Sequence, residues 1–292
     1  MEFKKYKAIF FDWDGTAVLS RKAPVDDIIP PMTKLLEKGV KLAIISGTTY
    51  ENIAFGRLHE LIPAEARKNL YLGLGRGVYN DGYNEKGELV HLQDNTPDVA
   101  TKLKIDAVCF ELHKILFEKY GYASDIVFTR PNYCKIDIMV GSDRGEQLFL
   151  QSNEIDAVNA DLKRHGYDGG LRGLCDLAAE LGAKNGLTLK ATTDAKYIEV
   201  GATTKSDNVD FLLTEVMKPA GIELADCCFW GDEYTYLGEG ITGSDYQMVT
   251  ELTKGGDFFD CAPAPMKLPE GVVGCGGGIK TFENFLRAQG EM

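Results

Sequence analysis

The sequence predicts an α/β protein: a doubly wound parallel sheet interrupted by an inserted α+β domain. Three observations carry that expectation. The short apolar runs Ala8–Phe11, Val40–Ile45 and Asp226–Trp230 have the continuity of strands buried on both faces. Each of them stops abruptly on polar residues, and helix patterns follow the first two and precede the third. Residues 82–198 lose this regular alternation, so the expected division is a core from residues 1–81 and 199–292 with an insertion at 82–198.

The first strand lies in Tyr6–Thr16, YKAIFFDWDGT, and delivers Asp12 and Asp14 at its carboxyl end, where open α/β sheets bind ligands. These two acids alternate along an extended chain and so start on one side, and Gly15 lets the backbone turn away. Val18–Lys22 reads as a loop, and Asp26–Lys38 as a helix ended by Gly39. Val40–Ile45 is the second strand, followed by Ser46, Gly47, Thr48 and Thr49 and an expected helix over Tyr50–Leu58. Backbone N–H groups and hydroxyls in that position suit an anion. Asn69–Leu74 is a third strand, running into the glycine-rich hinge Gly73–Gly82 that contains Arg76.

Within the insertion the expected elements are a hairpin-like segment at Glu88–Leu92, a long helix at Pro97–Lys119, and strands at Asp125–Thr129 and Tyr133–Val140. Helices over Asn153–His165 and Leu174–Leu181 and strands over Leu187–Ala191 and Tyr197–Val200 complete it. The glycine-rich stretch Gly166–Gly173 follows no buried strand and is not read as a phosphate loop. The core pattern then returns with a helix from Lys205 to Lys218, the strand Asp226–Trp230, and the sequence Gly231, Asp232, Glu233 at its end. Short strands at Phe258–Asp260 and Val272–Val273 precede a closing helix, Ile279–Ala288.

Composition narrows the function. A net charge of −12 and a pI near 4.9 argue against a nucleic-acid surface or binding to anionic lipid. A small anionic substrate is compatible with that charge, because a metal inverts the field of an acidic site locally. No apolar run reaches membrane-spanning length, and the amino terminus lacks a signal-peptide pattern, so a cytoplasmic protein is expected. The seven cysteines form no C-x-x-C pair and are expected to be reduced, mostly buried thiols.

The polar strand ends share a type and an order: DWDGT, the serine of IISGT, Lys205 opening a helix, and GDE after an apolar strand. This series resembles the four motifs of the haloacid dehalogenase superfamily, whose core is Rossmann-like. The long insertion resembles that superfamily's large α/β cap, the type IIB arrangement of sugar-phosphate phosphatases and phosphomannomutase. The resemblance implies Mg²⁺-dependent phosphoryl chemistry on a small phosphorylated metabolite, most readily a sugar phosphate.

Each residue also makes chemical sense by itself. A carboxylate at Asp12 can attack phosphorus and split one hard displacement into two easier ones. Asp14 can protonate the leaving oxygen and then deprotonate water. Asp12 and Asp232 supply hard oxygen ligands for Mg²⁺, and the resemblance adds the backbone carbonyl of Asp14. Ser46 and Lys205 would hold the phosphoryl oxygens, while Gly47, Thr48 and Arg76 are candidates for substrate contact. Arg130, Lys135, Arg144 and Arg172 in the insertion are further candidates for the leaving group.

One departure from the motif concerns the second acid that follows the GD pair in type IIB relatives, because Thr235 and Tyr236 stand in those places. Downstream, GITGSDYQM offers Asp245, which is expected to complete the metal site ahead of Glu233 and Glu239. Two alternatives to a phosphatase stand beside it. One is a phosphomutase that returns the phosphate to a sugar; the other is a catalytically weak sensor or binding protein that keeps the fold.

Overall fold

The computed structural model describes residues 3–140, 152–238, 240–263 and 267–292. The candidates Arg144 and Glu239 lie outside the described residues. In chain order, β1 (Ala8–Phe11), α1 (Ile29–Glu37) and β2 (Lys41–Ile45) open the fold. Two short helices, α2 (Leu58–Leu61) and α3 (Ala64–Arg67), lead to β3 (Leu70–Leu74), β4 (Tyr79–Tyr83) and β5 (Leu89–Asp94). Next come α4 (Val99–Tyr120), β6 (Asp125–Val127), β7 (Tyr133–Asp137), α5 (Ser152–Arg164), α6 (Gly170–Lys184), β8 (Lys190–Thr193) and β9 (Tyr197–Gly201). The chain then returns through α7 (Lys205–Leu212) and β10 (Cys227–Gly231), with the pair β11 (Tyr236–Gly238) and β12 (Ile241–Thr242) after it. It closes with β13 (Asp257–Asp260), β14 (Val272–Gly274) and α8 (Ile279–Gln289).

Two compact units result. The first comprises Met1–Asn95, Thr204–Thr235 and Asp245–Met292; the second comprises Thr96–Thr203 and Tyr236–Ser244. In the first unit an eight-stranded sheet runs β14-β13-β10-β1-β2-β3-β4-β5. Neighbours from β14 to β3 pair in parallel, and β4 and β5 add antiparallel strands. The hairpin-like segment assigned to the insertion from sequence is therefore part of the core sheet, and the division falls at Asn95 rather than at Asp81. Polar, partly exposed β5 reads locally like insertion, and only its pairing with β4 reveals its place.

Burial on both faces explains the apolar runs. On one face Ile9, Phe11, Leu42 and Ile44 pack with Met32 and Leu35 of α1 and Phe282 and Phe285 of α8. On the other, Ala8, Phe10, Ala43 and Ile45 pack with Val209 and Leu212 of α7. Phe10, Phe229 and Phe258 stack across three adjacent strands, with ring centroids 4.9 and 4.8 Å apart. Six of the seven cysteines are buried and all are free.

The second unit holds an antiparallel sheet, β6-β7-β9-β8, backed by α4 and α6. Cys134, Ile136, Ile198 and Val200 point to these helices, and alternation places Lys135 and Glu199 on the opposite face, where they form an ion pair. Arg172 lies on α6, paired with Asp176 at 2.9 Å. The helix α6 begins at Gly170, so the stretch Gly166–Gly173 runs into a helix. No helix among the described residues is long and apolar enough to cross a membrane.

One expected element is absent. Residues 50–56 form two single 3₁₀ turns and α2 begins only at Leu58, because Ala54, Phe55 and Gly56 take φ of 48°, 57° and 72°. Left-handed backbone at three successive positions cannot continue a right-handed helix.

Candidate active site

The strand ends of the first unit converge. Asp12 follows β1 directly, its N–H donating to the Trp230 carbonyl of β10 at 3.0 Å, which pins the ends of the two strands together. The chain then turns tightly: the Gly15 N–H donates to the Val18 carbonyl at 2.7 Å, with Gly15 at φ +89°. A Cβ on Gly15 would fall 2.3 Å from Oδ2 of Asp232, so the turn is close-packed against that acid. Thr16 steadies the same acid, its hydroxyl donating to Asp232 Oδ1 at 3.0 Å.

Asp245 reaches the cluster from thirteen residues further on. Its Oδ2 accepts the backbone N–H groups of Asp232 and Glu233 at 2.9 and 2.8 Å, locking the loop after β10. Gly231 makes room for it, since a Cβ there would meet Asp245 Oδ2 at 2.4 Å. Glu233 contributes its backbone to that loop and is only partly buried.

Lys205 stands in the middle. Its buried ammonium donates to Asp12 Oδ1 at 2.7 Å and to Asp245 Oδ1 at 2.6 Å. A capping box places it: the Thr204 side chain and that of Asp207 cap each other's backbone, so α7 starts at Lys205. A cation at a helix start is mildly disfavoured by the helix dipole, and the two carboxylates outweigh that.

Asp12, Asp232 and Asp245 each offer a carboxylate oxygen within 4.8 Å of the others. Burial pushes the Asp12 carboxyl well above the ordinary range; Lys205 opposes that rise, while the charges of Asp245 and Asp14 add to it. Asp232 is pushed up in the same way, by burial first and then by Asp245, Glu233 and Asp12. Burial alone would lower the Lys205 ammonium; Asp12 and Asp245 overcome it and hold the lysine charged. With all three carboxyls ionised, one ammonium would leave an excess negative charge of about two, and their hard oxygen donors fit a divalent cation such as Mg²⁺ that would balance it.

Asp14 points elsewhere, to the guanidinium of Arg21 at 2.7 Å, whose second nitrogen donates to Thr48 Oγ1 at 3.1 Å. Ser46 follows β2 directly, buried, with its hydroxyl accepting the Thr48 N–H at 3.4 Å. Arg76 is buried at φ +54° between Gly75 and Gly77, and its Cγ lies 3.4 Å from where a Gly47 Cβ would stand. Thus Ser46, Gly47, Thr48 and Arg76 gather in one place. The helix expected to present an anion site after Thr49 is replaced by two short 3₁₀ turns. Arg130, Lys135 and Arg172 belong to the second unit.

Arg21 and Thr16 carry side-chain contacts that sequence patterning passes over. Arg21 stands in a loop without periodicity, and its only local signal is the nearness of DWDGT.

No family model matches the sequence, and no curated protein matches it significantly. Solved structures do match. The chain is similar to the N-terminally truncated IMP-nucleotidase of Plasmodium falciparum, at 14% identity and a TM-score of 0.58, over 98% of this chain and 70% of that one. The IMP-bound form of that truncated protein matches at 13% identity and a TM-score of 0.59, over 99% and 69%. The protein SMU.1108c of Streptococcus mutans matches at 14% identity and 0.53, over 97% and 99%. In another structure of the Plasmodium falciparum IMP-nucleotidase the match covers 62% of that protein's chain. The fold is the Rossmann-like fold of the haloacid dehalogenases. At these identities the likeness speaks for the fold alone.

Proposed function

We propose that this protein is a Mg²⁺-dependent phosphatase that hydrolyses a small phosphomonoester through an aspartyl-phosphate. The observation that carries the reading is the buried ammonium of Lys205 lying 2.7 Å from Asp12 and 2.6 Å from Asp245, beside Asp232. Asp12, Asp232 and Asp245, with the backbone carbonyl of Asp14, would hold the ion, which when bound neutralises the carboxylates and draws phosphate into an acidic site.

The chain's own residues then divide the work. Asp12 attacks phosphorus, and Lys205 balances the charge that develops on the phosphoryl oxygens. Ser46 and the Gly47 and Thr48 segment hold those oxygens, with Arg76 close by. Asp14 gives its proton to the leaving oxygen and later takes one from water. The Arg21 contact sets the direction in which Asp14 points.

A sugar phosphate is the substrate class that the motif resemblance favours. A nucleoside monophosphate is the second, supported by likeness to a nucleotidase over nearly the whole chain. Release of phosphate from an aryl phosphate, dependent on Mg²⁺ and lost in Asp12→Asn, is the expected result. A panel of sugar phosphates and nucleoside monophosphates then ranks the classes by kcat/KM. Turnover that survives Asp12→Asn or a chelator would overturn the proposal, and conversion of a hexose 1-phosphate to its 6-isomer without free phosphate would replace it with a mutase.

A further inference from the structure

Helix α4 is apolar on two faces. Ile105, Val108, Cys109, Leu112 and Leu116 are buried within the second unit. On the opposite side Leu103, Phe110 and Phe117 stand 62%, 55% and 64% exposed. Together with Ala100, Ala107 and Lys114, also exposed, they recur at alternating steps of three and four, the spacing of a coiled-coil seam. Contiguous apolar stripes of this kind are uncommon on monomers.

We propose that this face of α4 is a self-association surface on which the same helix of a second copy lies antiparallel. Size and charge both select that arrangement. With a twofold axis passing midway between Ala107 and Phe110, small meets large: Ala107 faces the second copy's Phe110, and Ala100 faces its Phe117. Leu103 is covered by the aliphatic stem of Lys114. At the flank Lys104 meets Glu111 of the second copy, and the symmetry makes that pair twice. A parallel pairing would stack Lys114 on Lys114, leave Ala107 against Ala107, and bring Asp106 beside Glu111. The stripe from Ala100 to Phe117 is about 27 Å long at the helical rise, so the contact belongs to the small, reversible class.

Sedimentation velocity of the full chain over a concentration series tests it. The expected result is a monomer–dimer shift that Phe110→Glu abolishes while far-ultraviolet circular dichroism is retained. Lys104→Glu and Glu111→Lys should each weaken the dimer by about fivefold, and the two combined should restore it. These exposed substitutions keep the test decisive if Phe110→Glu fails to fold. A chain that is monomeric at every concentration overturns the proposal. So does a dimer indifferent to Phe110→Glu, charge reversals that do not rescue each other, or a monomer that co-sediments with phosphatidylcholine vesicles.

Discussion

Gly15 and Gly231 are the positions at which a missing Cβ lets the acids approach. Gly15→Ala would combine a left-handed backbone with a contact of 2.3 Å to Asp232. A loss of about 1–3 kcal/mol is expected from the backbone alone, with a weakened rise in Tm on adding Mg²⁺ because Asp232 is displaced. Denaturant unfolding and metal-dependent thermal shifts measure the two effects separately. Arg21 is a different kind of residue, since its pair with Asp14 is partly exposed. Arg21→Ala should therefore lower kcat by about fivefold, partly recovered by Arg21→Lys. Asp14→Asn should cost roughly 10²–10⁴-fold, because it removes the group proposed to donate the proton. Steady-state kinetics on one aryl phosphate ranks the three variants, and an Arg21→Ala enzyme as slow as Asp14→Asn would contradict the division of roles.

At the scale of elements, α7 does two jobs with one turn of helix. Its first residue is Lys205, and one turn later Asn208 holds the β3–β4 hairpin. Asn208 is fully buried, accepts from the Gly77 N–H at 2.7 Å, and donates to the Tyr79 carbonyl and Asn80 Oδ1 at 2.9 and 3.0 Å. The turn that presents Arg76 is thus tied to the helix that presents Lys205. Asn208→Ala would strand three buried polar groups, and a loss of about 3 kcal/mol is expected in chemical denaturation. The helix start at Lys205 was read from the sequence, and the structure gives its local cause, the capping box of Thr204 and Asp207. The role of Asn208 was not, because its partners lie more than 120 residues away. Residues 50–58 failed as a helix for a local reason of another kind: their left-handed backbone falls on Ala54 and Phe55, residue types that carry no warning of it.

For the whole molecule, the buried acids link stability to pH and metal. Asp12 and Asp232 are pushed up, and Asp260, buried at the end of β13, rises to about 6. The folded chain without metal therefore keeps protons that the unfolded chain releases, so stability declines as pH rises above about 4. For Asp260 the decline is complete near pH 6 and amounts to at most about 3 kcal/mol, so Asp260→Asn should flatten the stability profile in that window. Denaturation at stepped pH with a chelator checks the slope. At the proposed site Mg²⁺ should raise stability most at neutral pH, because carboxylate ligands bind a cation deprotonated. By itself the sequence determined the strands, the acids at their ends and the capped lysine. Those signals are local: an apolar run buried on two faces, a carboxylate at its close, a capping box. The tertiary structure brings Asp245, the acid expected from sequence ahead of Glu233, beside Asp12 and Asp232, and it alone decided that β5 belongs to the core sheet and that Arg21 meets Asp14. Each of these depends on which backbone groups pair across the fold, and on the missing Cβ atoms of Gly15 and Gly231 that let the charges come together.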